Sequence, residues 1–261
     1  AEMTGWFATM LPFFEKAIGV LRLRRQVADV SATQLQNETL LQVSLLYILM
    51  ILLQHLGRLA AAQAYLEEMQ SLLANFADEM PYAKTLARMA AIALAQECGN
   101  YAEAQAMARE LLAFLEQNSF PCYPWRSEIG TRFLQMQMHA TIGLTARQLG
   151  DYTTAWRHSE RAMSLSDEMG EQRFKANTLQ ELAVLWRLRG EIEQARTLAQ
   201  SGLALSRRFE DRILAAFGEL TLGLIECDAG QSTWAAECCQ HSLAVALESG
   251  ELDLHMRSLA A

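Results

Sequence analysis

The chain has 261 residues, 51% of them hydrophobic, and a formal net charge of -8. That apolar share suffices for a continuous buried core and excludes a disordered chain; the acidic balance excludes a nucleic-acid interface built on phosphate neutralisation. Alanine, leucine, glutamine, glutamate and arginine dominate, and no proline follows Pro124, so long helices are expected.

From the N-terminus, AEMTGWFATM lacks the basic start and apolar centre of a signal peptide. Residues 13 to 29 are expected to form one helix, with Arg22, Arg24 and Arg25 on a solvated face. Five glycines then recur, Gly57, Gly99, Gly150, Gly190 and Gly230, separated by 42, 51, 40 and 40 residues. Each closes an apolar-periodic stretch, and five positions later stands Ala62, Ala104, Ala155, Ala195 or Ala235. The glycine reads as the left-handed stop of one helix, and the alanine as a close-approach residue on the next.

This spacing predicts first helices at 34–56, 82–98, 127–149, 172–189 and 212–229, and second helices at 58–75, 101–117, 151–168, 191–208 and 231–248. The longest apolar run, Val43 to Leu53, is about half the roughly 20 residues of a membrane span, and reads as a buried helix. Seven positions after the alanine the later hairpins carry Ala162, Gly202 and Ser242, whereas the earlier ones carry Met69 and Leu111 and are expected to pack differently. EMG at 168–170 and ESG at 248–250 close second helices, while RFED at 208–211 lacks the glycine.

Beyond Gly250, ELDLHMRSLAA begins another first helix; Gly5 and Ala17 repeat the Gly150–Ala162 spacing, with Pro12 intruding. The expectation is one solenoid over 1–261, with partial repeats at 1–33 and 251–261, taken from a longer protein. Open ends of that kind permit self-association.

Catalytic signatures are missing. There is no GxxxxGKS, GxSxG, HExxH or calcium-loop pattern. The five histidines include no i, i+4 pair, and the cysteines no CxxC, so no metal, cofactor or catalytic residue is assigned and a reduced, cytoplasmic setting is expected.

The string GDYTTAWRHSERAM at 150–163 resembles the tetratricopeptide repeat (TPR) in its glycine, acid, aromatic and alanine. GNYAEA at 99–104 fits too, and GEIEQA at 190–195 keeps all but the aromatic. Gly143, Ala183 and Gly223 supply the small residue seven before the glycine, where the first two repeats have Met50 and Ile92. The resemblance covers residues 34–250, and the 40-residue period is similar to that of sensor regions in MalT-type LuxR-family ATP-dependent bacterial regulators and of kinesin-light-chain scaffolds. It implies an all-α, right-handed superhelix (α-solenoid) of about five to six hairpins whose first helices line a concave groove.

In that pattern the inward positions lie three, ten and thirteen residues before each glycine. Their polar occupants, Gln54, Gln96, Gln137, Arg147, Asn177, Gln180 and Arg187, are the candidate ligand-binding residues, with the two arginines suited to bidentate contact with an anion. The extra residues between Gly99 and Gly150, NSFPCYPWRS, add a proline-stiffened loop in which Phe120, Tyr123 and Trp125 are candidates for a lid or contact. The implied role is a sensor or interaction domain that binds a protein or peptide partner, or a small polar or anionic inducer, without nucleic acid or membrane. The alternative is a constitutive scaffold that holds peptides and no small molecule. An enzyme would need convergent titratable groups in one pocket.

Overall fold

Glycine tolerates a positive φ that other residues adopt only at a cost. The five hairpin glycines use that freedom, with φ from 68° at Gly57 to 82° at Gly190. Each ends its helix in a Schellman motif. The Gly150 N–H donates to the Arg147 carbonyl at 3.1 Å and the Asp151 N–H to the Ala146 carbonyl at 2.9 Å, satisfying acceptors that a helix end leaves orphaned.

The computed structural model describes residues 2–27, 31–76, 79–118, 130–249 and 258. Among them are eleven helices and no strand: α1 Glu2–Val27, α2 Ala32–His55, α3 Leu59–Leu73, α4 Pro81–Glu97, α5 Tyr101–Gln117, α6 Gly130–Gln148, α7 Tyr152–Met169, α8 Gln172–Leu188, α9 Ile192–Arg208, α10 Arg212–Asp228 and α11 Ser232–Ser249. The hairpins are α2/α3, α4/α5, α6/α7, α8/α9 and α10/α11. Helix ends fall within a few residues of the predicted ones. The first helix is the exception: it begins at Glu2 and runs through Pro12, so Gly5 is helical and is no hairpin stop.

The turn at 208–211, which lacks glycine, keeps the same geometry. Glu210 takes φ 54°, and the Asp211 N–H still donates to the Ser206 carbonyl at 3.1 Å. Asp211 then caps α10, its Oδ1 accepting from the Leu214 N–H at 3.0 Å.

Small residues set the helix spacing where they were expected. Ala62, Ala104, Ala155 and Ala195 are fully buried, and Ala235 is nearly so. A Cβ added to Gly143 would lie 2.7 Å from the Ser159 hydroxyl and 3.3 Å from the Ala155 carbonyl, and one added to Gly223 would lie 2.9 Å from the Cys238 Cβ. In the two earlier hairpins Met50, Ile92, Met69 and Leu111 occupy these positions, all buried, and side chains fill the space.

Packing clusters follow one another along the array, each shared by adjoining hairpins: Val43, Leu46 and Leu66 in the first, Ile92, Leu111 and Ile142 in the next, and Ala183, Ala199 and Ile225 further on. Helix α2 is the one described helix long and apolar enough to cross a membrane, but Val43, Leu46, Leu49 and Met50 are fully buried in the fold, as its reading as a core helix requires. Past α11, Ser258 is helical and its hydroxyl lies 3.0 Å from that of Ser242. Helices α1 and α11 also touch, so the superhelix brings its first and last described helices together. The reason is cumulative: each hairpin adds a small rotation to the last.

Candidate functional site

A helix whose residues recur every three or four positions presents one stripe to one side. The inner stripes of α2, α4, α6 and α8 converge on a cavity of about 270 Å³. Tyr47, Met89, Gln96, Gln137, Ala140 and Asn177 line it, all at the inward positions counted from the glycines. A second cavity of about 880 Å³ lies between the ends of α2, α6, α8 and α10, and Phe133, Phe174, Phe209 and Phe217 give it an aromatic wall. Phe174 and Asn177 line both, so the two form one concave channel.

Within the channel, the Oε1 of Gln137 is buried without a hydrogen-bond partner, an acceptor open to a donor in a bound molecule. Burial raises the Tyr47 phenol to about 12, with Tyr82 adding to the effect, so Tyr47 stays protonated and can donate. Carboxamides beside Met89, Ile92 and Phe174 offer paired donors and acceptors on an apolar floor.

Arg147, Arg187 and Gln180 are engaged elsewhere. The Nε of Arg147 donates to Glu181 at 3.0 Å, with the Arg147 side chain only 13% exposed. Arg187 grips Asp228 with two hydrogen bonds, 2.7 and 3.3 Å. Both guanidiniums are thus neutralised by carboxylates one repeat further along the chain. Gln180 is buried in helix packing: its Nε2 donates to the Leu214 carbonyl at 3.0 Å and to the Ser206 hydroxyl at 3.4 Å. It tracks toward α10 because Gly218 leaves the room, a Cβ there lying 2.9 Å from the amide nitrogen. Gln54 is also buried, away from both cavities. Phe120, Tyr123 and Trp125 lie outside the described residues.

Several channel residues escaped the sequence count. Thr141 and Glu181 stand nine before their glycines, Leu144 six before, and Phe174 sixteen before, on the same stripe at intervening turns. Extending the count by helical periodicity finds them.

Elsewhere the fold pairs His139 of α6 with His158 of α7, Nδ1 to Nδ1 at 3.0 Å. Burial, then His158 and Arg161, depresses His139 to about 4; burial, Arg157 and Arg109 lower His158. Their pairing runs across a hairpin, so a search for i, i+4 spacing misses it. Among the described residues no group of three or more His, Cys, Asp or Glu is arranged to hold a metal ion.

No family model and no curated protein matches the sequence. Solved structures do match. BtubC (BKLC) from P. vanneervenii superposes with a TM-score of 0.64 at 14% identity, over 93% of this chain and 91% of that one. A Rap protein solved in complex with Competence and Sporulation Factor gives 0.60 at 12% identity, over 98% of this chain and 70% of that one. The chain is a tetratricopeptide-like superhelix. A STAND (Signal Transduction ATPase with Numerous Domains) protein with a tetratricopeptide repeat sensor, from Pyrococcus horikoshii, matches at 0.57 and 17% identity. That superposition covers 94% of this chain and 38% of the other.

Proposed function

We propose that this superhelix is a peptide- or protein-binding module that holds an extended segment in its concave channel, as the repeat sensor of a bacterial signal-transducing regulator, and that it performs no catalysis itself. The observation that carries the reading is the channel floor: Gln96, Gln137 and Asn177 alternate with apolar side chains, and the Gln137 acceptor is buried and unpaired. Amide donors and acceptors on an apolar surface match a peptide main chain better than a compact anion. The anionic alternative is weakened because Arg147 and Arg187 already have carboxylate partners, which leaves the buried Arg147 Nη2 as the unpaired donor of that pair. Two structural likenesses favour the same reading, a Rap protein solved with a bound factor and a STAND protein with a repeat sensor.

The test is a thermal-shift screen of random peptides and of metabolites, followed by calorimetry on hits. A ligand at a hundred times its Kd stabilises by about 2.7 kcal/mol. Gln137→Ala with Asn177→Ala should weaken a peptide hit by about tenfold, the loss of one or two hydrogen bonds in a desolvated site, while leaving the melting curve of the free protein unchanged. Stabilisation by metabolites alone, or unchanged affinity in the double variant, would sink this reading. Binding of peptides unaccompanied by any response in a full-length regulator would favour the constitutive scaffold.

A further inference from the structure

Arginines in this acidic molecule are mostly matched with carboxylates, as Arg22 is with Glu68, Arg173 with Asp211, and Arg196 with Glu226. Arg157 and Arg189 depart from that pattern and form no direct ion pair among the described residues, although the field of Arg157 and Arg109 reaches the exposed Asp151 at the start of α7. Together with Tyr152, Trp156, Leu185 and Leu188 they line a cleft of about 540 Å³ between α7 and α8, which shares no residue with the concave channel.

The cleft is built on aromatic packing. Trp156 and Trp186 meet edge to face with centroids 4.7 Å apart, and the Arg189 guanidinium lies 5.5 Å from the first ring and 5.1 Å from the second. A guanidinium held against an indole keeps its in-plane N–H groups for a carboxylate. Arg189 also closes the C-terminal end of α8, where a cation is favoured, but that role leaves those N–H groups unused. Tyr152 is 51% exposed and Leu188 49%, so large apolar surface stands at the cleft mouth in contact with water. Glu160 is the single carboxylate in the lining, against two guanidiniums. Arg109 of α5 extends the positive region: with Arg157 it depresses the half-buried His158, after burial itself.

We propose that this cleft is a second docking site, for an acidic protein segment that inserts an aromatic or aliphatic side chain against Trp156, Tyr152 and Leu188 and pairs its flanking carboxylates with Arg157 and Arg189. Charge complementarity chooses the occupant. A nucleic acid would meet the net charge of -8 over the rest of the surface, whereas a short acidic segment meets only the local excess of cations.

The probe is a fluorescein-labelled synthetic peptide with a Phe-Leu centre flanked by glutamates, titrated by anisotropy against the whole chain at low salt. A counterpart with lysine for every glutamate, and a duplex DNA oligonucleotide, serve as controls. The acidic peptide should bind and the others should not, and salt should weaken the complex. Arg157→Glu should reduce affinity by about tenfold or more, the worth of a charge-assisted hydrogen bond, with an unchanged melting curve because Arg157 is exposed. Leu188→Ser tests the apolar half independently. Absence of binding, equal binding of the lysine peptide or DNA, or indifference to Arg157→Glu overturns the proposal. Loss of binding in the Gln137→Ala, Asn177→Ala channel variant also overturns it, by moving the peptide into the channel.

Discussion

The two early hairpins, α2/α3 and α4/α5, and the three later ones from α6 to α11 reach the same architecture by different packing. Later hairpins bring backbones together at Gly143, Gly202 and Gly223, where even a methyl group would crowd the neighbouring helix. In the earlier pair, Met50, Met69, Ile92 and Leu111 stand between the helices and are buried just as completely. Burial therefore does not separate the two regions. What separates them is whether the buried volume belongs to main chain or side chain, and close packing makes the two arrangements intolerant of opposite substitutions.

Exchanging equivalent residues tests that contrast most severely. Leu111 and Ala162 each stand twelve positions after their hairpin glycine. Leu111→Ala should cost about 2–5 kcal/mol through the cavity it leaves, and Ala162→Leu about 1–3 kcal/mol through overpacking, both read from urea unfolding midpoints. Tolerance of either would erase the distinction.

Gly143→Ala should destabilise by about 1–3 kcal/mol, and Ser159→Ala in the same chain should recover only part of it, since the Ala155 carbonyl still lies 3.3 Å from the new methyl. Full recovery would mean that one hydroxyl, and not main-chain approach, limits this hairpin.

The later region should also be the acid-sensitive one, because it holds the His139–His158 pair. His139 falls from 6.5 to about 4 on folding, so the unfolded chain binds more protons between those values. Its contribution is complete above pH 6.5 and is lost as pH falls toward 4. The melting temperature should drop by a few degrees between pH 7 and pH 5, and His139→Gln should flatten that dependence. An unaltered pH profile in the variant would show that other groups set it.

The smallest effect is expected at the glycine-free turn between α9 and α10. Glu210→Gly should stabilise by about 0.5–1 kcal/mol, since relief of the left-handed penalty outweighs the added chain entropy. A loss of stability in thermal melts would mean that the Glu210 side chain contributes more than its backbone strain.

Helix ends were legible because a glycine stop leaves its mark in a few adjacent residues, and the inward stripe because helical periodicity is local. Ion-pair partners were not. Glu181 lies 34 residues from Arg147 and Asp228 lies 41 from Arg187, so their neutralising role depends on the rotation between repeats, which no short window contains. Gln180 misled for a related reason: its inward register is correct, but a glycine on α10 opens a different path for the side chain. The left-handed Glu210 was likewise invisible, because the turn that imposes it is set by the helices on both sides.

Packing clusters shared between adjoining hairpins have a further consequence for exchange with solvent. No hairpin can open without uncovering part of its neighbours, so buried amide hydrogens of adjoining hairpins should exchange together and not helix by helix. Helix α8 lines both the channel and the arginine cleft, so an occupant of either should slow exchange in the hairpins on both sides of it.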